Sequence, residues 1–91
     1  MTVKAKFFAY FREHFGGRER DLDVGDGASV GDALALLCDT PPRRGEIFAD
    51  GELKPHIVVM LNGVPIHSLK GLATRLSPGD TLAIFPMMGG G

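Results

Sequence analysis

Apolar and polar side chains alternate from Val3 to Tyr10. Val3, Ala5, Phe7 and Ala9 fall on one side, and Lys4, Lys6, Phe8 and Tyr10 on the other. That period of two predicts a strand whose second face starts charged and ends aromatic. Phe11 to Phe15 reads as a short turn of helix before the Gly16-Gly17 break. Glu19 to Val24 predicts a second strand, with Leu22 and Val24 on one face, so the two runs form an N-terminal hairpin. After Gly25-Asp26-Gly27 the period changes. Val30, Ala33, Leu34, Leu37 and Cys38 lie at i, i+3, i+4, i+7 and i+8, the stripe of an amphipathic helix. Ser29 is placed to cap that helix with Asp32 at the third position, and Thr40-Pro41-Pro42 is expected to end it.

From Arg43 to Pro55 the pattern weakens, and the expectation is a short helical turn around Ile47-Phe48 followed by loop. Ile57 to Leu61 is the most apolar segment and predicts a central strand. Asn62-Gly63 turns it back into Val64-Pro65-Ile66, where Pro65 restricts the return to a short edge piece. Ser77-Pro78-Gly79-Asp80 fits a type II turn. It leads into a last strand, Thr81 to Phe85, with Leu82 and Ile84 on one face and Ala83 and Phe85 on the other. The order predicts an α+β domain with one main helix. Such a helix covers one face of the sheet and leaves the other to solvent or a partner.

Composition narrows the function classes. Ninety-one residues make one domain with a modest core. A net charge of −1, with ten Lys+Arg interleaved among eleven Asp+Glu, argues against a nucleic-acid partner. No window approaches the roughly 18 apolar residues of a membrane span, and no secretory leader pattern opens the chain. A cytoplasmic setting without membrane contact is the expectation. The single Cys38 rules out an internal disulfide and belongs to the buried helical stripe, which marks it as a small core hydrophobe. His14, His56 and His67 lie far apart and show no metal spacing, so no metal site is expected. No phosphate-binding glycine loop and no nucleophile–base pair appears, and the chain is expected to lack a catalytic site of its own.

The distinctive chemistry lies in Pro86-Met87-Met88-Gly89-Gly90-Gly91. Glycine has no Cβ, so three of them make a thread that enters passages closed to any side chain. A terminal carboxylate on such a thread is a poor electrophile until ATP, consumed by a partner enzyme, converts it to an acyl-adenylate. Sulfur then gives a thiocarboxylate, and an amine gives an amide. Six extended residues reach roughly 20 Å, and ordering them costs on the order of 1–2 kcal/mol each, so a docking surface on the body is needed. Alternation nominates Phe8, Val58, Met60 and Phe85, if their strands lie side by side, with Met87 and Met88 adding adaptable contact. The expected division is a body over residues 1–85 and a flexible tail over 86–91.

Phe7-Phe8-Ala9 with Arg12-Glu13 and Phe15-Gly16, the helix Val30 to Leu37, Leu61-Asn62-Gly63, Leu76-Ser77-Pro78-Gly79-Asp80, Ile84-Phe85-Pro86 and the closing Gly90-Gly91 stand in order along nearly the whole chain. Together they resemble the MoaD/ThiS family of ubiquitin-like sulfur carriers. The resemblance implies a β-grasp fold, a mixed sheet of four to five strands on one main helix. It also implies that the C-terminal glycine is adenylated by an E1-like enzyme and then thiocarboxylated, with no tightly bound cofactor. Gly90 and Gly91 are then the working pair, and Gly89 a departure from the family's pattern; a register ending at Gly90 stays open. Phe8, Val58, Met60, Phe85, Pro86, Met87, Met88 and Gly89 would meet the partners. Sulfur delivery to a molybdopterin synthase large subunit, in molybdenum cofactor biosynthesis, ranks first. Cysteine biosynthesis, which Gly71-Leu72-Ala73-Thr74 resembles, thiamine biosynthesis and a protein-modifier role are the alternatives.

Overall fold

The computed structural model of the chain describes residues 1–87. It opens with β1 (Thr2–Phe7), a short helix α1 (Phe11–His14) and β2 (Glu19–Asp23), followed by α2 (Val30–Leu37) and α3 (Pro41–Ile47). A small hairpin of β3 (Phe48–Ala49) and β4 (Glu52–Leu53) leads into β5 (Ile57–Leu61), β6 (Val64–Pro65), two 3-10 turns and β7 (Thr81–Pro86). The main sheet has five strands in the order β2-β1-β7-β5-β6. β1 and β7 run parallel, and the other neighbours run antiparallel. The mixed sheet on one principal helix is the predicted α+β arrangement.

Alternation sets the inner face. Val3, Ala5 and Phe7 of β1, Ile57, Val59 and Leu61 of β5, and Leu82 and Ile84 of β7 are buried. Against them lie Val30, Ala33, Leu34, Leu37 and Cys38, the whole stripe predicted for α2. The Phe7 ring stacks on Phe15 at 4.8 Å, which locks α1 over one end of the sheet. β5 is paired on both sides but has its outer face half-open, and the middle strand is β7.

The start of α2 carries a complete capping box. Asp32 N–H donates to Ser29 Oγ at 3.2 Å, and Ser29 N–H donates to Asp32 Oδ2 at 2.9 Å. Replacing Ser29 by Ala leaves an orphan donor in the first turn. It is expected to lower stability by about 1 kcal/mol, read as a reduced urea midpoint with unchanged slope.

Thr40-Pro41-Pro42 does end α2, but it also begins α3, which runs from Pro41 to Ile47 where only a short helical turn around Ile47-Phe48 was expected. Arg43 N–H donates to Thr40 Oγ1 at 3.3 Å, and the prolines occupy the first helical positions, where a missing N–H costs nothing. Arg43 ties α3 to α1 by donating from Nε to the His14 carbonyl at 2.8 Å, and pairs with Asp39 at 2.8 Å. Asp50-Gly51 turns β3 into β4 with positive φ at both residues, the same turn that Asn62-Gly63 makes between β5 and β6. The last strand runs one residue past its expected end. Pro86 is buried opposite Ile57 and belongs to the sheet, so the tail's root is Met87.

Candidate functional site: an apolar platform at the root of the tail

Because β7 lies between β1 and β5, the register decides which outer side chains meet. Phe7 pairs with Ile84 in parallel, which brings Phe8, just past the end of β1, beside Phe85. The two rings sit edge to face at 5.8 Å. Across the antiparallel pair, Met60 faces Ala83 and Val58 faces Phe85. Phe8, Ala9, Met60, Ala83, Phe85 and Pro86 line a shallow depression of about 440 Å³ with almost no polar surface. Phe8 is 38% exposed, and Met87, at the mouth of the tail, 61%. Exposed apolar side chains gathered in this way mark a contact surface better than scattered ones do.

The residues nominated by alternation therefore divide. Phe8, Met60, Phe85 and Pro86 share the depression. Val58 and Met87 line a neighbouring groove, which Met60 also borders. Met88, Gly89, Gly90 and Gly91 lie outside the described residues. Met87 N–H donates to the His56 carbonyl at 2.6 Å, so the backbone leaves the body as a continuation of β7, next to the platform.

Sequence reasoning missed Arg12 and Ala9. The Arg12 guanidinium lies over the Phe8 ring at 5.8 Å, and its Nε donates to the Phe7 carbonyl at 3.2 Å. It gives the apolar platform a cationic rim. The available signal was the spacing of four between Phe8 and Arg12. It went unused because the strand pattern was carried on to Tyr10, whereas the chain turns at Ala9, with φ of 54°. The other half of the outer face is charged, with Lys4 3.5 Å from Glu19 and with Lys6 and Asp21 exposed beside them.

No group of three or more His, Cys, Asp or Glu stands together among the described residues. His14 faces Glu46 at 3.5 Å, linking α1 to α3. Cys38 is 1% exposed, and burial pushes its thiol from the ordinary 9.0 up to about 11. The Arg44 charge offsets only part of that rise. Such a thiol is no nucleophile at neutral pH. Its folded-state value lies above its unfolded one, so between pH 9 and about 11 the folded chain holds the proton that the unfolded chain releases. Stability is then expected to fall across that window, and a Cys38→Ala variant is expected to lose that part of the slope in denaturation series. Asp39 is held below its usual range mainly by the hydrogen bond from Arg43.

Residues 5–91 match the family model described as the ThiS family. The chain is 40% identical over 92 residues to small archaeal modifier protein 3 of Haloferax volcanii, with all of both chains covered. It is 28% identical over 93 residues to sulfur carrier protein CysO of Mycobacterium tuberculosis, again covering all of both. Among solved structures, the crystal structure of SAMP1 from Haloferax volcanii is similar with a TM-score of 0.86 and 38% identity, covering all of both chains.

Proposed function

This chain belongs to the ThiS family of ubiquitin-like sulfur carriers, with a β-grasp fold, and on that premise we propose that the carboxylate of Gly91 is its reacting group. The observation that carries the reading is the apolar depression formed by Phe8, Met60 and Phe85 beside the root of the tail. An E1-like adenylating enzyme seats on it, and the contact area offsets the entropy lost when the glycine thread is threaded. A Gly91 carboxylate oxygen attacks the α-phosphorus of ATP, and pyrophosphate leaves. A hydrosulfide sulfur then attacks the acyl carbon, AMP leaves and a thiocarboxylate remains. This chain supplies reach and slenderness; the partner supplies the acid–base groups. Four residues beyond Met87 extend roughly 13 Å, enough to bring Gly91 to a site recessed in the partner.

The acceptor expected first is a pterin precursor held by a molybdopterin synthase large subunit, which would make this chain the small subunit of that sulfurtransferase. A second reading has a target lysine attack the same adenylate, giving an amide. It is favoured by the end-to-end likeness to a relative named as a modifier protein. The test is intact mass after incubation with ATP, sulfide and the cognate activating enzyme. A gain of about 16 Da, oxygen replaced by sulfur, supports the carrier. Omitting sulfide and adding lysate then separates the acceptors: lysine-linked conjugates support the second reading, and no mass change in either arm overturns both.

A further inference from the structure

The chain has a single asparagine, Asn62, and no glutamine, so it holds one side-chain amide in 91 residues. Asn62 stands directly before Gly63 in the turn from β5 to β6, and both have positive φ, 51° and 85°. An Asp-Gly pair builds the same turn, as Asp50-Gly51 does between β3 and β4. The turn alone therefore does not call for an amide. The neighbours do. Leu61 faces Leu82 in the antiparallel register, so Asn62 stands at the next rung, opposite Thr81. Asn62 N–H donates to the Thr81 carbonyl at 2.9 Å, and Thr81 N–H donates to Asn62 Oδ1 at 2.9 Å. The side-chain oxygen closes a rung that a backbone carbonyl closes in a regular ladder. Asn62 Nδ2 donates to Asp80 Oδ1 at 3.0 Å, and Ser77 N–H donates to Asp80 Oδ2 at 2.7 Å. A carboxylate in place of the amide could accept from Thr81 but has no proton for Asp80.

Asparagine before glycine is also the amide most open to self-reaction, because glycine has no Cβ to shield its nitrogen. We propose that Asn62 is a deamidation site that its clasp to Thr81 and Asp80 holds in check. With both amide atoms held across the sheet, Cγ is not free to swing onto the Gly63 nitrogen. When this end of the sheet opens, the Gly63 nitrogen attacks Asn62 Cγ, and the new N–C bond closes a succinimide ring. The Cγ–Nδ2 bond breaks, and ammonia leaves with the proton that the Gly63 nitrogen gives up. Water then adds to one ring carbonyl and opens the ring to aspartate or isoaspartate. No oxidant, nucleotide or enzyme enters the balance, and Asn62 is exposed to the water it needs. Closing the sheet again does not restore the clasp. The new carboxylate meets the Asp80 carboxylate with no donor between them. What loosens is the start of β7, the strand whose other end carries Phe85 and leads to the tail.

Intact mass reads the reaction directly, because no other side chain here can gain about 1 Da by exchanging an amide for a carboxyl. The full chain is kept at one pH and temperature, in buffer and in unfolding guanidinium chloride. The gain is expected to accumulate at least about tenfold more slowly in buffer, where opening of the clasp limits it. Asp80→Ala keeps the Asn62-Gly63 pair and removes the acceptor for Nδ2. Its rate in buffer is expected to rise about threefold or more above that of the intact chain. Asn62→Asp supplies the product charge without the reaction, and is expected to lower the folding equilibrium constant by about tenfold or more. Equal rates for the intact chain in buffer and denaturant overturn the proposal, as does a chain that gains no mass in either. So does an Asp80→Ala rate no higher than that of the intact chain, or an Asn62→Asp chain as stable as the intact one. If Asp80→Ala does not fold, the intact chain in the two solvents and the stability of Asn62→Asp decide.

Discussion

Removing Gly90 and Gly91 is expected to abolish thiocarboxylate formation while leaving the fold as it is. Among the described residues the buried core ends at Ile84 and the last strand at Pro86, so the deletion removes no residue of either. The unfolding free energy should stay within about 0.5 kcal/mol of that of the intact chain. The chemistry has no such tolerance. A reacting carboxylate must come within about 3–3.5 Å of the α-phosphorus, and two residues shorten the thread by about 7 Å. The gain of about 16 Da on incubation with ATP, sulfide and the activating enzyme should disappear. A chain lacking Gly91 alone distinguishes the two registers: loss of the gain assigns the reaction to Gly91, and its retention moves the working end to Gly90. Retention after loss of both glycines would show that the thread is not the reacting element.

Met60→Glu is expected to produce the second large effect, on partner engagement rather than on folding. Met60 stands half-buried on the outer face, borders both the platform and the adjoining groove, and faces Ala83 across the sheet. In the free chain a glutamate there remains hydrated, so the stability change should stay within about 1 kcal/mol. In the complex the carboxylate loses water among Phe8, Ala83 and Phe85 and finds no hydrogen-bond donor in the depression, where Arg12 stands only at the Phe8 rim. A penalty of about 2–4 kcal/mol predicts a loss of roughly 30-fold to 1,000-fold in the rate of adenylate formation at limiting enzyme. Asp21→Ala, on the charged half of the same face, is the control and should change that rate by no more than about threefold. Equal losses in both variants would show that the whole face, and not the apolar platform, governs the rate.

Much of this molecule could be read from local pattern. The stripe Val30, Ala33, Leu34, Leu37 and Cys38 is buried as a unit, since a period near 3.6 puts those positions on one side of a helix whatever it packs against. Asn62-Gly63 turns as expected because both residues accept positive φ. Two features escaped for identifiable reasons. Thr-Pro-Pro is a stop signal for the helix before it and a start signal for the one after it, and nothing within the motif says that a second helix follows. Asp50-Gly51 carried the hairpin signal, but Phe48-Ala49 and Glu52-Leu53 are too short to alternate visibly.

By itself, the sequence determined the elements, the face each one buries and the glycine thread proposed to carry the reaction, since caps, turns and periodicity act over a few neighbouring residues. Tertiary structure alone decided which strands became neighbours. The parallel insertion of β7 between β1 and β5 brings Phe8 to Phe85 and Met60 to Ala83 from segments more than twenty residues apart in two cases out of two. Alternation is a property of one strand, whereas adjacency and register are set by which arrangement buries the most inner-face side chains around α2.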